Sequence, residues 1–154
     1  AQLDRFLMQI NIHYPDKNTE EKILINDINN SSKQNKFLET NELAKVYKII
    51  HNLPVGKNVI NFTLKLIRGL RPSSSSHEYV KQYIQWGPGP RGGLALLNAA
   101  KARALIYKKI SPSISDIINL AQPTLRHRIT LNFEARTEKL EVDQIIDKVC
   151  KDTN

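Results

Sequence analysis

Between Arg91 and Tyr107 nearly every side of the chain is apolar or alanine, and a helix of that composition belongs inside a bundle of other helices. It is delivered by Trp86-Gly87-Pro88-Gly89-Pro90. Gly89 is an acceptable N-cap, and Pro90 falls at the first helical position, where its missing N–H and fixed φ cost nothing. Arg91 therefore stands in the first turn. Free backbone amides and a forked guanidinium there both suit an oxyanion. The plainer role for such a residue is a surface arginine that caps the turn or pairs with a carboxylate.

The remaining pattern surrounds that helix with others. Asn18-Thr19-Glu20-Glu21 has the form of a capping box opening a helix through Ile23, Leu24 and Ile28, and Asn29–Ser32 is a polar loop. Thr40 caps a second helix, with Leu43, Val46, Tyr47 and Ile50 on its stripe. A third follows the Leu53-Pro54-Val55-Gly56 break, marked by Val59, Ile60, Leu64 and Ile67. Arg71-Pro72 and the serines at 73–76 end it in what composition marks as the most flexible stretch. Residues 79–86 fit a short helix or an extended lead-in equally well. Ser113 with Asp116 opens a further helix that Pro123 is expected to break. Val142, Ile145, Ile146 and Val149 give the last helix its core stripe, with Glu141 a poor cap at its start. About five or six helices joined by short connections make a mainly α bundle. Only Phe6–Ile12 alternates with period two, a strand pattern stopped by Tyr14-Pro15, and a terminal strand without neighbours frays or belongs to a sheet elsewhere.

Three stretches, in order, resemble the MoxR family of AAA+ ATPases. WGPGPRGGLALLNAAKARAL (86–105) is similar to the family's sensor-2 region. Residues 1–6, AQLDRF, continuing as LMQINIHYP, resemble the segment that carries the arginine finger and the last strand of the nucleotide-binding core. PTLRHRITLNF (123–133) resembles a stretch late in the lid domain. The resemblance implies a division into 1–15, the end of the core, and 16–154, a helical-bundle lid. It implies Arg5 as the finger inserted into a neighbouring subunit's site and Arg91 as the sensor-2 arginine that reads the γ-phosphate. It further implies ATP and Mg in the intact parent, a homo-oligomeric ring, and chaperone-like assembly or activation of a partner enzyme complex, often with a von Willebrand factor A domain protein.

The sequence has no G-x-x-x-x-G-K-[ST] loop to cradle phosphates, since none of the six glycines falls in that pattern. Nor does any apolar run end in the Asp-Glu pair that would hold magnesium. The expectation is a C-terminal fragment that by itself neither turns over ATP nor binds it tightly.

A net charge of +8 raises a second reading, a stand-alone basic helical module for nucleic acid. Arg91, Lys101, Arg103, Lys108, Lys109, Arg126 and Arg128 would supply its phosphate contacts. Against it, aromatic residues sit at core spacing and not among exposed cations, so nucleic acid is the less favoured partner. His13, His51, His77 and His127 show no ligand spacing, which favours a structural role for His127 and no metal. The serine run with His77 lacks the frame of a hydrolase triad. The single Cys150 excludes an internal disulfide. With no apolar run of membrane-spanning length, a cytoplasmic chain is expected.

Overall fold

The computed structural model describes residues 2–29 and 40–153. A 3₁₀ turn at Leu3–Arg5 precedes α1 (Lys17–Asn29), α2 (Thr40–Asn52), α3 (Lys57–Gly69) and α4 (Glu78–Tyr83). Then come β1 (Ile84–Trp86), α5 (Pro90–Ile106), α6 (Ile114–Leu125), a second 3₁₀ turn (Arg126–Arg128), β2 (Thr130–Leu131), α7 (Phe133–Thr137) and α8 (Val142–Thr153). The described part is mainly helical, as its periodicity requires, with short α4 and α7 adding to the expected number of helices.

α5 is the central helix. It packs most extensively on α6, with α3 on its other side and α8 closing over α3 and α6. Ala99, Ala100 and Ala104 of α5 are buried, while Leu96, Leu66, Leu70, Ile117, Leu125 and Ile146 are fully or nearly fully buried in the core. Leu94 and Ile106 remain exposed, so the all-round apolar character of α5 is not matched by all-round burial.

Local chemistry sets the helix ends. Ser113 Oγ accepts from Asp116 N–H and the Asp116 carboxylate accepts from Ser113 N–H, the reciprocal box expected for α6. Pro123 does not break α6, which runs on to Leu125. Proline there removes one bond, to the Asn119 carbonyl, and the burial of Ala121, Thr124 and Leu125 holds the last turn together. The α1 cap is Asp16, whose Oδ1 accepts from Thr19 N–H at 2.9 Å, and not the Asn18 box. At the start of α8 the Gln144 side chain accepts from Glu141 N–H at 3.2 Å, supplying half a box where the sequence offers no Ser or Thr.

On α3 the buried face is Val59, Phe62, Thr63, Leu66 and Ile67, while Ile60 and Leu64 are exposed. On α2, Val46 and Ile50 are half-buried and Leu43 and Tyr47 are exposed. Thr40, expected as a cap, is the first residue of α2; the polar loop after Asn29 lies outside the described residues. The serine stretch is an ordered turn: Ser74 Oγ donates to Arg68 O at 2.9 Å and Ser75 Oγ to Gly69 O at 2.7 Å, satisfying carbonyls at the end of α3. Residues 79–86 prove to be both options in turn, α4 and then β1. β1 pairs antiparallel with β2 (Ile84 opposite Leu131, Trp86 opposite Thr130), a small sheet that the sequence pattern did not reveal.

Phe6–Ile12 is not a strand. The alternation is present, but a strand needs a neighbour to take its backbone groups. Here Gln9 N–H donates to Pro123 O at 2.8 Å, and Phe6, Leu7, Ile10 and Ile12 are exposed.

Candidate functional site

Arg5 and Arg91 open onto one cleft. Its volume is about 350 Å³, and Asp4, Leu7, Asn98 and Arg128 are among the residues that line it. Arg91 comes from the first turn of α5, where Gly89 is extended as N-cap and Pro90 follows. The side chain of Arg91 is 65% exposed and its Nη1 lies 3.8 Å from Asp4 Oδ2. Arg5 ends the first 3₁₀ turn and is exposed. The first-turn amides contribute less than the sequence implies. Pro90 has no N–H and Gly92 N–H closes on Gly89 O at 3.0 Å, so the guanidinium carries the anion affinity of this helix end.

Arg5 makes no ion pair with the adjacent Asp4. The Asp4 carboxylate instead turns to the second 3₁₀ turn and the start of α5, with Oδ1 3.1 Å from Arg128 Nε and Oδ2 toward Arg91. Arg128 was one of several candidate phosphate cations by sequence, yet its side chain is only 2% exposed. Its guanidinium also donates to backbone carbonyls of Asp4, Phe6 and Leu7 and to that of Thr124. His127 Nε2 adds a contact to Phe6 O at 3.2 Å. Asp4 is thus a site residue that sequence reasoning missed, and Arg128 is a named candidate whose inward role it did not foresee. Two arginines flanking a histidine after α6 do not reveal which side chain points inward, and only the return of a segment 121 positions away explains it.

Gly92 also differs from expectation. A pair of glycines after Arg91 reads as a loosened helix start, but a Cβ at 92 would come within 3.1 Å of Arg128 Cδ, 3.2 Å of Pro88 Cβ and 3.3 Å of Leu125 Cδ2. The missing side chain is the lane through which Arg128 reaches Asp4.

Four of the other candidate cations are committed elsewhere. Arg126 Nη2 is 2.8 Å from Asp143 Oδ2 on α8. Arg103 and Lys109 both meet the buried Asp116, at 3.3 and 3.0 Å, and Arg103 also stacks over Tyr107. Lys101 donates to His51 O at 2.9 Å. Burial alone would push the Asp116 carboxyl up, but the Ser113 N–H and hydroxyl and the Lys109 ammonium outweigh it and hold the pKa below its ordinary value. Burial pushes the Cys150 thiol up to about 12, with Asp147 adding to the effect, so this thiol is packing and not a nucleophile. Among the described residues no three metal-ligating side chains converge. No helix among them is long and apolar enough to cross a membrane.

Residues 77–149 match the AAA lid domain family. Along 98% of its length the chain is 27% identical to the chaperone MoxR1 of Mycobacterium tuberculosis, covering 40% of that protein. It is 30% identical to the uncharacterized protein YeaC of Bacillus subtilis over 97% of this chain and 45% of that one. Its fold matches the crystal structure of a candidate ATPase from Cytophaga hutchinsonii with a TM-score of 0.88 and 28% identity, over 99% of this chain and 47% of that one. The chain therefore spans less than half the length of the curated relatives it matches. The AAA lid domain match over 77–149, the MoxR1 likeness and the fold match agree with this helical body and support a fragment of a MoxR-like AAA+ protein.

Proposed function

We propose that this chain supplies the lid and the finger-bearing segment of a MoxR-like ATPase, with residues 1–15 belonging to the end of the nucleotide-binding core and 16–154 to the lid. The observation that carries the reading is that Arg5 and Arg91 are both exposed, so that each guanidinium can reach a nucleotide of its own. Arg91 acts as the sensor-2 arginine. On a rigid helix start, its exposed fork can take a γ-phosphate and lose it on hydrolysis, which is a means of moving a lid. Arg5 acts as the arginine finger in a neighbouring subunit of a homo-oligomeric ring, where it neutralises charge developing on the transferred phosphoryl group.

ATP supplies that phosphoryl group in the intact protein. Its Mg and its phosphate cradle are contributed by residues other than those described here. The relative from Mycobacterium is named as a chaperone, which supports chaperone-like assembly or activation of a partner enzyme complex as the purpose of hydrolysis. A von Willebrand factor A domain protein is the proposed partner and the cytoplasm the proposed location. The internal pairing of Arg103, Lys109, Arg126 and Arg128 supports this reading over a nucleic-acid module.

Mixed rings test it. Arg5→Ala should lower turnover by about 10³ or more while sparing nucleotide binding. Adding subunits that keep Arg5 but have a dead phosphate loop should restore part of the activity, because a finger acts in trans. Arg91→Ala should weaken nucleotide binding and resist that rescue. Equal rescue of both variants would put the two arginines on one nucleotide, and full activity of Arg5→Ala would remove the finger.

A further inference from the structure

We propose that Arg128 is a positioning residue: it clamps the 3–7 segment onto the lid and, through the Asp4 carboxylate it shares with Arg91, ties the presentation of Arg5 to the state of Arg91. The inference rests on the reading of Arg5 and Arg91 given above, and it concerns residues to which that reading assigns no part.

The geometry is that of a fork filled on every side. Arg128 Nε meets Asp4 Oδ1 at 3.1 Å, and Nη2 meets Asp4 O at 3.1 Å and Phe6 O at 2.5 Å. Nη1 meets Leu7 O at 3.4 Å and the carbonyl of Thr124 on α6. A guanidinium has five N–H donors in a fixed plane and must be satisfied when buried. Carbonyls of residues 4, 6 and 7 supply most of that satisfaction, so the segment can leave only by stranding the charge. An apolar anchor would hold the segment as well, but it could not share a carboxylate.

That sharing is unequal. Asp4 Oδ1 is held close by the buried Arg128, whereas Oδ2 lies 3.8 Å from an Arg91 that is 65% exposed. An exposed pair at this distance is weak and easily exchanged. A phosphate arriving at Arg91 competes with Asp4 for the same guanidinium and takes it away. Asp4 is then left with Arg128 as its sole cationic partner. Arg5 is the next residue in the same 3₁₀ turn, so any resettling of Asp4 re-aims Arg5 directly. Gly92 sets the close approach of Arg128 beneath the turn that carries Arg91, so the parts of the relay adjoin.

The test uses the intact ATPase, with nucleotide Kd and kcat measured separately for Asp4→Asn, Arg128→Lys, Arg5→Ala and Arg91→Ala. Asp4→Asn removes the competitor for Arg91, so nucleotide should bind about threefold more tightly, and this gain should vanish when Arg91→Ala is also present. The same variant should lower kcat. Arg128→Lys keeps the charge but loses the planar fork, and it should lower kcat about tenfold with Kd changed less than twofold. A purely structural Arg128 would lower the melting temperature and leave kcat per assembled ring unchanged, which would overturn the proposal. So would an Asp4→Asn effect on Kd that persists unchanged without Arg91. If Arg128→Lys does not assemble, the cycle between Asp4 and Arg91 decides alone. If Arg5→Ala and Arg91→Ala themselves leave hydrolysis intact, the reading of the two arginines has failed. If they impair it while Asp4→Asn and Arg128→Lys do not, only the relay has failed.

Discussion

His127 shows how a single ring responds to the site around it. Its Nε2 contacts Phe6 O, while Nδ1 is buried with no partner among the described residues. Burial lowers its pKa below the usual 6.5; the Phe6 carbonyl opposes the shift and the neighbouring Arg128 and Arg126 charges add to it. The folded chain thus favours neutral His127, and the unfolded chain takes a proton first as pH falls. The stability owed to the neutral ring is complete above pH 6.5 and declines below it. Melting curves from neutral pH down to about 5 should show this loss, and His127→Gln should flatten it. Asp116 works in the same sense at lower pH. Its carboxylate is stabilised by folding, so that contribution is lost as pH falls past the ordinary value of 3.8 and through the lower folded value. Asp116→Ala should cost about 2 kcal/mol near neutrality, from the lost cap and two cations left without their acid. Half of this was legible beforehand. The Ser113–Asp116 box is a local pattern, whereas the convergence of Arg103 and Lys109 on it depends on how α5 and α6 meet.

Helices were legible by period, but their rotation was legible only in part. In α3 the sequence offers apolar side chains at 59, 60, 62, 64, 66 and 67, more than one face can bury. Packing selects 59, 62, 63, 66 and 67, taking in Thr63 because its hydroxyl donates back to Val59 O at 2.8 Å. Leu66→Ala should therefore cost about 3 kcal/mol, while Ile60→Ala and Leu64→Ala should each cost under about 1 kcal/mol, as read by denaturant midpoints. The serine turn carries a similar lesson. Four identical residues read as a linker, since composition cannot say which hydroxyl will meet a carbonyl. Ser75 does, and His77 N–H donates to its Oγ in turn at 3.1 Å. Ser75→Ala should cost about 1 kcal/mol and Ser73→Ala close to none. β1 and β2 went unseen because segments of three and two residues are too short to show a period.

At the scale of the molecule, family resemblance offered what periodicity could not, the proposal that Arg5 and Arg91, far apart in sequence, serve one reaction. The bonds of Arg128, drawn by the tertiary fold, tie the segment that carries Arg5 to the end of α6. The same tertiary pairing changes the meaning of the +8 charge. A duplex-binding face needs several cations pointing one way and free to meet phosphates. Arg103 and Lys109 are turned to Asp116, Arg126 to Asp143 and Arg128 to Asp4, which removes four of the seven candidates named from sequence. Lys101 is drawn to the end of α2, leaving Arg91 beside its cleft and Lys108 at the far end of α5. Each phosphate neutralised contributes about −0.9 to the slope of log affinity against log salt, so contacts made by one or two such side chains predict a slope no steeper than about −2. Titration of this chain with duplex DNA and with single-stranded RNA near physiological salt should give weak binding, a shallow slope and no sequence preference. Sub-micromolar, sequence-selective binding with a slope set by many contacts would mean that these internal ion pairs open to receive phosphates, and the basic-module reading would then displace the ATPase lid as the account of the charge.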